Sequence, residues 1–399
     1  MRSLARSIWI VLVGGSIGFT SCIDPFDAET GEFVSAIVID ATITNENEHQ
    51  TVYLSRTYKF EEEGPEAVSG AQVTIVENGT NTIIFTEMED GEYRSQQPFA
   101  AQPGSSYVLN VQTAEGNFYE SQSASLPDAV ALESVYADRI TSDLGKDGIA
   151  IFVDSFDASG NSPNFRYEFQ ETYKIIAPQW NAFDLLSTGI ECGVDIIPKT
   201  VQNQICFASN VSNDIILANT ASLDENRVQR FMVRFMDRSN YIISHRYSIE
   251  VTQYTQSDEA AAYFSALDQF SSTESIFSES QPGFLVGNVF SREDTDEKVL
   301  GYFDVSAVDR QRIFFNYSDF FEGEDLPPYV NPCRTIAPML ISQGGARCIL
   351  SALVDAGQVS YFDVNADPPF EEGPYLVVPR ECGDCTVLGS NETPDFWSE

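Results

Sequence analysis

The chain has 399 residues, of which 60 are Asp or Glu and 22 are Lys or Arg, for a formal charge of −38. So acidic a surface repels phosphates, which excludes nucleic-acid binding through clustered Lys and Arg and direct electrostatic docking on anionic lipid. With 43% hydrophobic and 12% aromatic residues the chain still builds substantial cores, so a disordered protein is excluded too.

The first residues read as a secretory leader. Arg2 and Arg6 precede the apolar run Ile8-Trp9-Ile10-Val11-Leu12-Val13, and small residues follow from Gly14 to Gly18, as in a signal peptide. The run is far shorter than the about twenty apolar residues that a membrane-spanning helix needs. Phe19-Thr20-Ser21-Cys22 has the form of a bacterial lipobox: a bulky apolar residue three before a cysteine, small residues beside it, and a thiol to receive diacylglycerol. Phe19 stands where Leu is commoner. Cleavage before Cys22 removes residues 1–21 with their two arginines and leaves a mature chain near −40. Its expected membrane contact is the acyl anchor, since multiple acyl chains make anchoring stable. Residues 22–32 form an acidic tether. Asp24, Asp27 and Glu29 lie directly behind Cys22 and resemble the surface-export signal of Bacteroidota lipoproteins, so the expected location is the outer membrane, facing outward.

From residue 33 to 127 short strands alternate with turn signals. Phe33–Ile39, Thr51–Leu54 and Ala71–Val76 read as strands, Asn78-Gly79 as a turn, and Thr82–Phe85 as the next strand. Asp90-Gly91-Glu92-Tyr93, Ser106–Val111, the Glu115-Gly116 turn and Phe118–Ser121 complete the series. Spacing of this kind predicts a β-sandwich of about 95 residues. Residues 128–399 are less regular and are expected to form one larger β-rich domain. Ile149–Val153, Phe165–Phe169, Phe231–Phe235, Tyr247–Val251, Val299–Phe303 and Arg312–Phe315 read as its strands. One helix is predicted, with Ser257 as N-cap, Asp258 and Glu259 in the first turn, and Ala261, Phe264 and Leu267 on a face that covers a sheet. The fold class is therefore mainly β.

Of seven cysteines, lipidation of Cys22 leaves Cys192, Cys206, Cys333, Cys348, Cys382 and Cys385, an even set that predicts disulfides in an exported protein. Cys192 and Cys206 are close in sequence and are the preferred pair; connectivity among the other four stays open.

A catalytic set does not emerge. The two histidines, His49 and His245, read as a solvated loop residue and a structural residue, and no HExxH, GxSxG, Gly-rich phosphate loop or zinc spacing occurs. Cys382-Gly383-Asp384-Cys385 has redox spacing, but it follows Val377-Val378-Pro379-Arg380 rather than opening a helix after a strand, so structural disulfides are expected. Asp294-Thr295-Asp296-Glu297 offers oxygens for calcium but lacks the full ligand ladder and reads as a solvated turn. No metal or cofactor is expected. Trp180 and Trp397, the only tryptophans outside the leader, give little support for a glycan-stacking platform.

Gly70-Ala71-Gln72-Val73, Gly91-Glu92-Tyr93, His245-Arg246-Tyr247-Ser248-Ile249, Gly287-Asn288-Val289-Phe290 and Val299-Leu300-Gly301-Tyr302-Phe303 together carry a resemblance. So does the ending Cys382-Gly383-Asp384-Cys385, Gly389-Ser390 and Pro394-Asp395-Phe396-Trp397, with Ser390 in place of a second glycine. Over nearly the whole mature length the chain resembles the Bacteroidota lipoprotein family catalogued as domain of unknown function 4249. The resemblance implies an outer-membrane lipoprotein beside a TonB-dependent transporter, with a first domain similar to immunoglobulin-like or transthyretin-like modules. The expected function is a non-enzymatic accessory or ligand-capture subunit. The alternatives are a carboxylate-based glycoside hydrolase, which needs two carboxyls facing across a cleft, and a structural or adhesive envelope protein.

Overall fold

The computed structural model describes residues 35–59, 62, 64–272, 285–342, 344–345 and 347–399. Cys22, Asp24, Asp27 and Glu29 lie outside them, and the leader and tether therefore enter no structural statement below. The chain is mainly β, in two large layered cores and one small lobe.

The first core follows from period-two alternation. In Ile37–Thr44 the side chains of Ile37, Ile39, Ala41 and Ile43 are buried, because successive strand residues point to opposite faces. Hydrogen bonding runs from this strand through Thr51–Arg56, Glu92–Ser95, Asn81–Glu89, Gln72–Glu77 and Ser106–Gln112 to Phe118–Ser121. The Asn78-Gly79 turn lies where expected, with both residues at positive φ, linking Gln72–Glu77 to Asn81–Glu89. Strands from both ends of this path contribute to one core: Ile39 and Val52 meet Leu109, Val111 and Tyr119. The sheet thus curls back on itself.

What closes it comes from far along the chain. Val289–Ser291 pairs antiparallel with Phe118–Ser121, while Val299–Leu300 runs parallel to Ile37–Thr44. Val289, Val299, Phe303 and Val305 are buried in the same core. Asn288, 8% exposed, uses its side-chain amide as a piece of strand, with Nδ2 donating to Phe303 O and Oδ1 accepting from Phe303 N, both at 2.8 Å. Gly301 has φ +93°, and a Cβ there would stand 2.0 Å from Ile39 O. The unit expected over residues 33–127 is therefore completed by residues 288–306, because a curled sheet with an open edge leaves backbone groups unpaired.

The strand Phe303–Asn316 joins the two cores. Phe303 to Ser306 pair parallel with Ala41 to Thr44, whereas Ala307 to Asn316 pair antiparallel with Arg246–Thr255. Beyond Arg246–Thr255 lie Asn164–Ile176 and, on its far side, Ile205–Val211 and Ile216–Asn219. Opposite this sheet stands a second one of Leu132–Thr141, Asp147–Phe156 and Arg227–Asp237. Ile149, Ile151 and Val153 from one sheet pack with Phe165, Tyr167, Tyr247, Ile249 and Val251 from the other.

The helix Asp258–Ser272 begins as predicted, with Ala260 N donating to Ser257 Oγ at 3.1 Å. Of the expected Ala261, Phe264 and Leu267 face, Phe264 packs as anticipated, 6.2 Å from Tyr302 and beneath the Arg166 guanidinium, while Ala261 and Leu267 are only part-buried. Ala260 is the buried residue, and Tyr263 stacks on Tyr302 at 4.7 Å. The helix therefore seats beside the seam between the two cores, held chiefly by the aromatic contacts of Tyr263 and Phe264 with Tyr302.

Candidate docking face

The small lobe is built from two hairpins, Phe183–Ser187 with Val194–Pro198 and Val359–Val364 with Tyr375–Pro379, and the short helix Leu350–Asp355. Its buried apolar set is Leu185, Val194, Leu350, Tyr361 and Val377, too little to hold so much irregular chain unaided. Disulfides supply the rest. Cys192 is joined to Cys348, Cys333 to Cys382 and Cys206 to Cys385, with Cα separations of 5.0, 5.6 and 5.6 Å.

The expected Cys192–Cys206 pair does not form. Val194–Pro198 runs as a strand between them, and five extended residues carry the chain roughly 16 Å, well beyond disulfide reach. Cys192 stays with the lobe, while Cys206 lies fully buried in the second core and fixes the lobe to it through Cys385. Cys382 and Cys385, despite their redox spacing, bond to different partners.

The loop around residues 327–338 contains Pro327, Pro328, Pro332 and Pro338, which cannot donate to a ladder. Other ties hold it. Tyr329 OH donates to Glu381 O at 2.9 Å, Asn331 Nδ2 donates to Glu381 Oε1 at 2.8 Å, and Ile336 exchanges two backbone hydrogen bonds with Val377. Between this loop and the second hairpin opens a cleft of about 500 Å³ lined chiefly by Pro332, Ile336, Leu353, Val359 and Pro379, with Arg334 at its polar side. Ile336 is 49% exposed, and on the first hairpin Phe183, Leu186 and Ile190 are 46, 53 and 71% exposed. These exposed apolar side chains and the apolar cleft make the disulfide-stapled lobe the candidate docking face.

The other candidates fall elsewhere. His49 is exposed, with Nδ1 2.7 Å from Ser95 O. His245 lines a cavity of about 390 Å³ with Lys174, Arg246 and Glu399, and burial, then Lys174, pushes its pKa below the usual 6.5. In the acidic turn, Asp294 Oδ1 accepts from Asp296 N and Glu297 Oε1 accepts from Tyr119 OH at 2.7 Å. Among the described residues no group of three or more His, Cys, Asp or Glu is placed to hold a metal. Trp180 Nε1 donates to Asn203 Oδ1, and Trp397 packs on Phe207 and Phe314. Asp304 is 2% exposed and accepts from Ser306 Oγ at 2.6 Å, and burial raises its carboxyl above the usual 3.8. So enclosed a carboxyl holds the seam between the cores and does not reach a substrate. No described helix is long and apolar enough to cross a membrane.

The family described as a domain of unknown function (DUF4249) matches residues 23–312. The chain belongs to that family. The match covers the first core and most of the second and ends within the Phe303–Asn316 strand, so the family's span includes Cys192 and Cys206 but not their partners Cys348 and Cys385. The cysteine-bearing ending, expected to carry part of the resemblance, lies beyond it. No curated protein matches the chain.

Proposed function

We propose that the chain is a lipoprotein anchored through Cys22 to the outer membrane, facing outward, and works as a non-enzymatic accessory or ligand-capture subunit of a TonB-dependent uptake complex. The observation that carries this reading is the apolar cleft on the disulfide-stapled lobe around Ile336 and Leu353. A binding subunit needs shape and apolar surface more than reactive side chains. Three disulfides fit an oxidising compartment, and the leader ending at Cys22 fits export with lipidation. The transporter as partner follows from the family resemblance.

The test is a pulldown of the tagged, lipidated protein from its native envelope in gentle detergent, followed by mass spectrometry. A stoichiometric TonB-dependent barrel supports the reading, and a partnerless lipoprotein overturns it. Ile336→Asp, at a half-exposed position, should release the barrel without unfolding the subunit. Cys22→Ser should move the protein from the membrane to the soluble fraction.

A further inference from the structure

The cavity of about 390 Å³ beside His245 opens where three strands meet end to end: Asn164–Ile176 and Phe303–Asn316 finish there and Arg246–Thr255 begins. It shares no residue with the cleft on the stapled lobe. Lys174, His245 and Arg246 line it together, in a chain where 60 acidic residues outnumber 22 Lys and Arg. In so negative a field an anion settles only where cations are gathered.

Strand register gathers them. Tyr173 faces Tyr247 across an antiparallel pair, so Lys174 and Arg246 are the next facing positions, and Arg246 in turn faces Asn316. Facing residues have Cβ atoms about 5 Å apart, and like charges placed in this way repel. One carboxylate bridging the two cations replaces that repulsion with charge-assisted hydrogen bonds.

The chain itself shows the match. Glu399 Oε1 accepts from Lys174 Nζ at 2.8 Å, and the neighbouring Ser398 O accepts from Arg246 Nε. Hydrogen bonding to Lys174, with the Arg246 charge adding, holds the Glu399 carboxyl below the usual 4.5. Yet the Glu399 side chain is 67% exposed and that of Lys174 only 17%. The carboxylate therefore caps the cations from the solvent side, where water screens the pair and leaves it weak. Arg246 keeps its place by other contacts, with its guanidinium 5.1 Å from the Phe314 ring and an Nη 3.4 Å from Asn316 Oδ1. Ile176, two residues on from Lys174 and so on the same face, and the half-exposed Leu326 add apolar wall. His245, with its pKa below 6.5, is uncharged at neutral pH and adds a polar group to the wall without a third charge.

We propose that this cavity binds a small monocarboxylate with an apolar body, its carboxylate bridging Lys174 and Arg246 in place of Glu399 and its body against Ile176 and Leu326. The facing cations fix where the head sits, and Glu399 is a built-in competitor for them. The site stands apart from the docking lobe and does not depend on a transporter partner.

The experiment titrates the intact, oxidised protein with sodium phenylacetate at neutral pH, by calorimetry and by ligand-observed NMR. Phenethylamine serves as the cationic counterpart with the same body, and inorganic phosphate as an anion without one. The expected result is one saturable site for phenylacetate, none for phenethylamine, and phosphate at least ~10-fold weaker. Lys174→Met keeps the apolar stem and removes the charge, and should weaken phenylacetate at least ~10-fold. Glu399→Gln, at a largely exposed position, should leave the unfolding midpoint in place and tighten phenylacetate several-fold by removing the competitor. That gain decides the matter even if the Lys174 variant fails to fold, because a merely structural ion pair gives no reason for tighter binding. Absence of saturation, phenethylamine or phosphate binding as tightly as phenylacetate, or no gain in Glu399→Gln would overturn the proposal.

Discussion

Arg234 grips Glu171 with two nitrogens, Nε on one carboxylate oxygen and an Nη on the other, both at 3.1 Å. Glu171 is 2% exposed and also accepts hydrogen bonds from Tyr247 OH and Asn210 Nδ2. The carboxylate stands on the inward face of Asn164–Ile176, in line with Tyr167 and Tyr173, where an apolar residue would ordinarily sit.

Removing the guanidinium leaves that carboxylate buried without its counter-charge. Breaking a buried pair costs about 3–5 kcal/mol, and Arg234 is 31% exposed, so the lower end applies. Arg234→Ala should lose about 3 kcal/mol of unfolding free energy in a urea titration. Pairing Arg234→Met with Glu171→Met should recover most of that loss, since two apolar side chains strand no charge. If the double variant is no better than the single, the ion pair is not what the site depends on.

Asp304 gives a pH signature. Burial raises its folded pKa above 3.8, against the lowering effects of Ser306, Arg166 and Gln256. Above pH 3.8 the unfolded chain therefore releases a proton that the folded chain keeps, so stability contributed at this site falls as pH rises until the folded carboxyl ionises. Asp304→Asn removes that slope, which is at most about 1.4 kcal/mol per pH unit. Unfolding midpoints of the two proteins compared from pH 4 upward should diverge in favour of the variant as pH rises. A constant offset would show that the Asp304 carboxyl ionises alike in both states.

His245 runs the other way. Burial, and then Lys174, hold its imidazole below 6.5. As pH falls through 6.5 the unfolded chain takes up a proton that the folded chain refuses, so this residue costs stability on the acidic side. With only two histidines in the sequence, an NMR titration with His49→Gln as the assignment control resolves it. The midpoint for His245 should lie below 6.5, and Lys174→Ala should raise it while leaving it under 6.5, because burial is the larger cause.

The first core was legible because its residues obey one local rule. Alternation in Gln72–Glu77 and Ser106–Gln112 and the Asn78-Gly79 turn are readable from neighbours in sequence. Its closure was not. Gly287, Asn288 and Gly301 stood out as part of a family resemblance, but nothing local says that Gly301 must let Ile39 O approach or that Asn288 must bridge Phe303. Those are contacts across more than 250 residues of sequence between Ile39 and Gly301. The candidate docking face was illegible for a different reason. Ile336 sits alone in a proline-rich loop with no period to mark it, and its exposure depends on which cysteines pair. Cys192 and Cys206 looked like partners by proximity, and only the intervening strand Val194–Pro198 separates them.

The Cys206–Cys385 bond, spanning 179 residues, is the tie that most directly couples core to lobe. Both cysteines lie in the second core, and Cys385 stands one residue beyond the short helix Arg380–Gly383 that holds Cys382, itself bonded to Cys333 beside the apolar cleft. Cutting it by Cys206→Ala with Cys385→Ala removes a long-range constraint on the unfolded chain and should cost about 2–4 kcal/mol. The loss should be uneven, because the first core shares no residue with this bond. In hydrogen exchange read by mass spectrometry, amides of Phe183–Ser187, Val359–Val364 and Tyr375–Pro379 should lose protection, while those of Ile37–Thr44 and Ser106–Gln112 keep theirs. If the lobe is the docking element proposed above, the same variant should capture a transporter poorly although its first core is intact, because an apolar cleft on a loosened lobe pays an ordering cost on binding. Uniform loss of protection across both cores would instead mean that the bond supports the whole fold, and the lobe would no longer be a separable docking element.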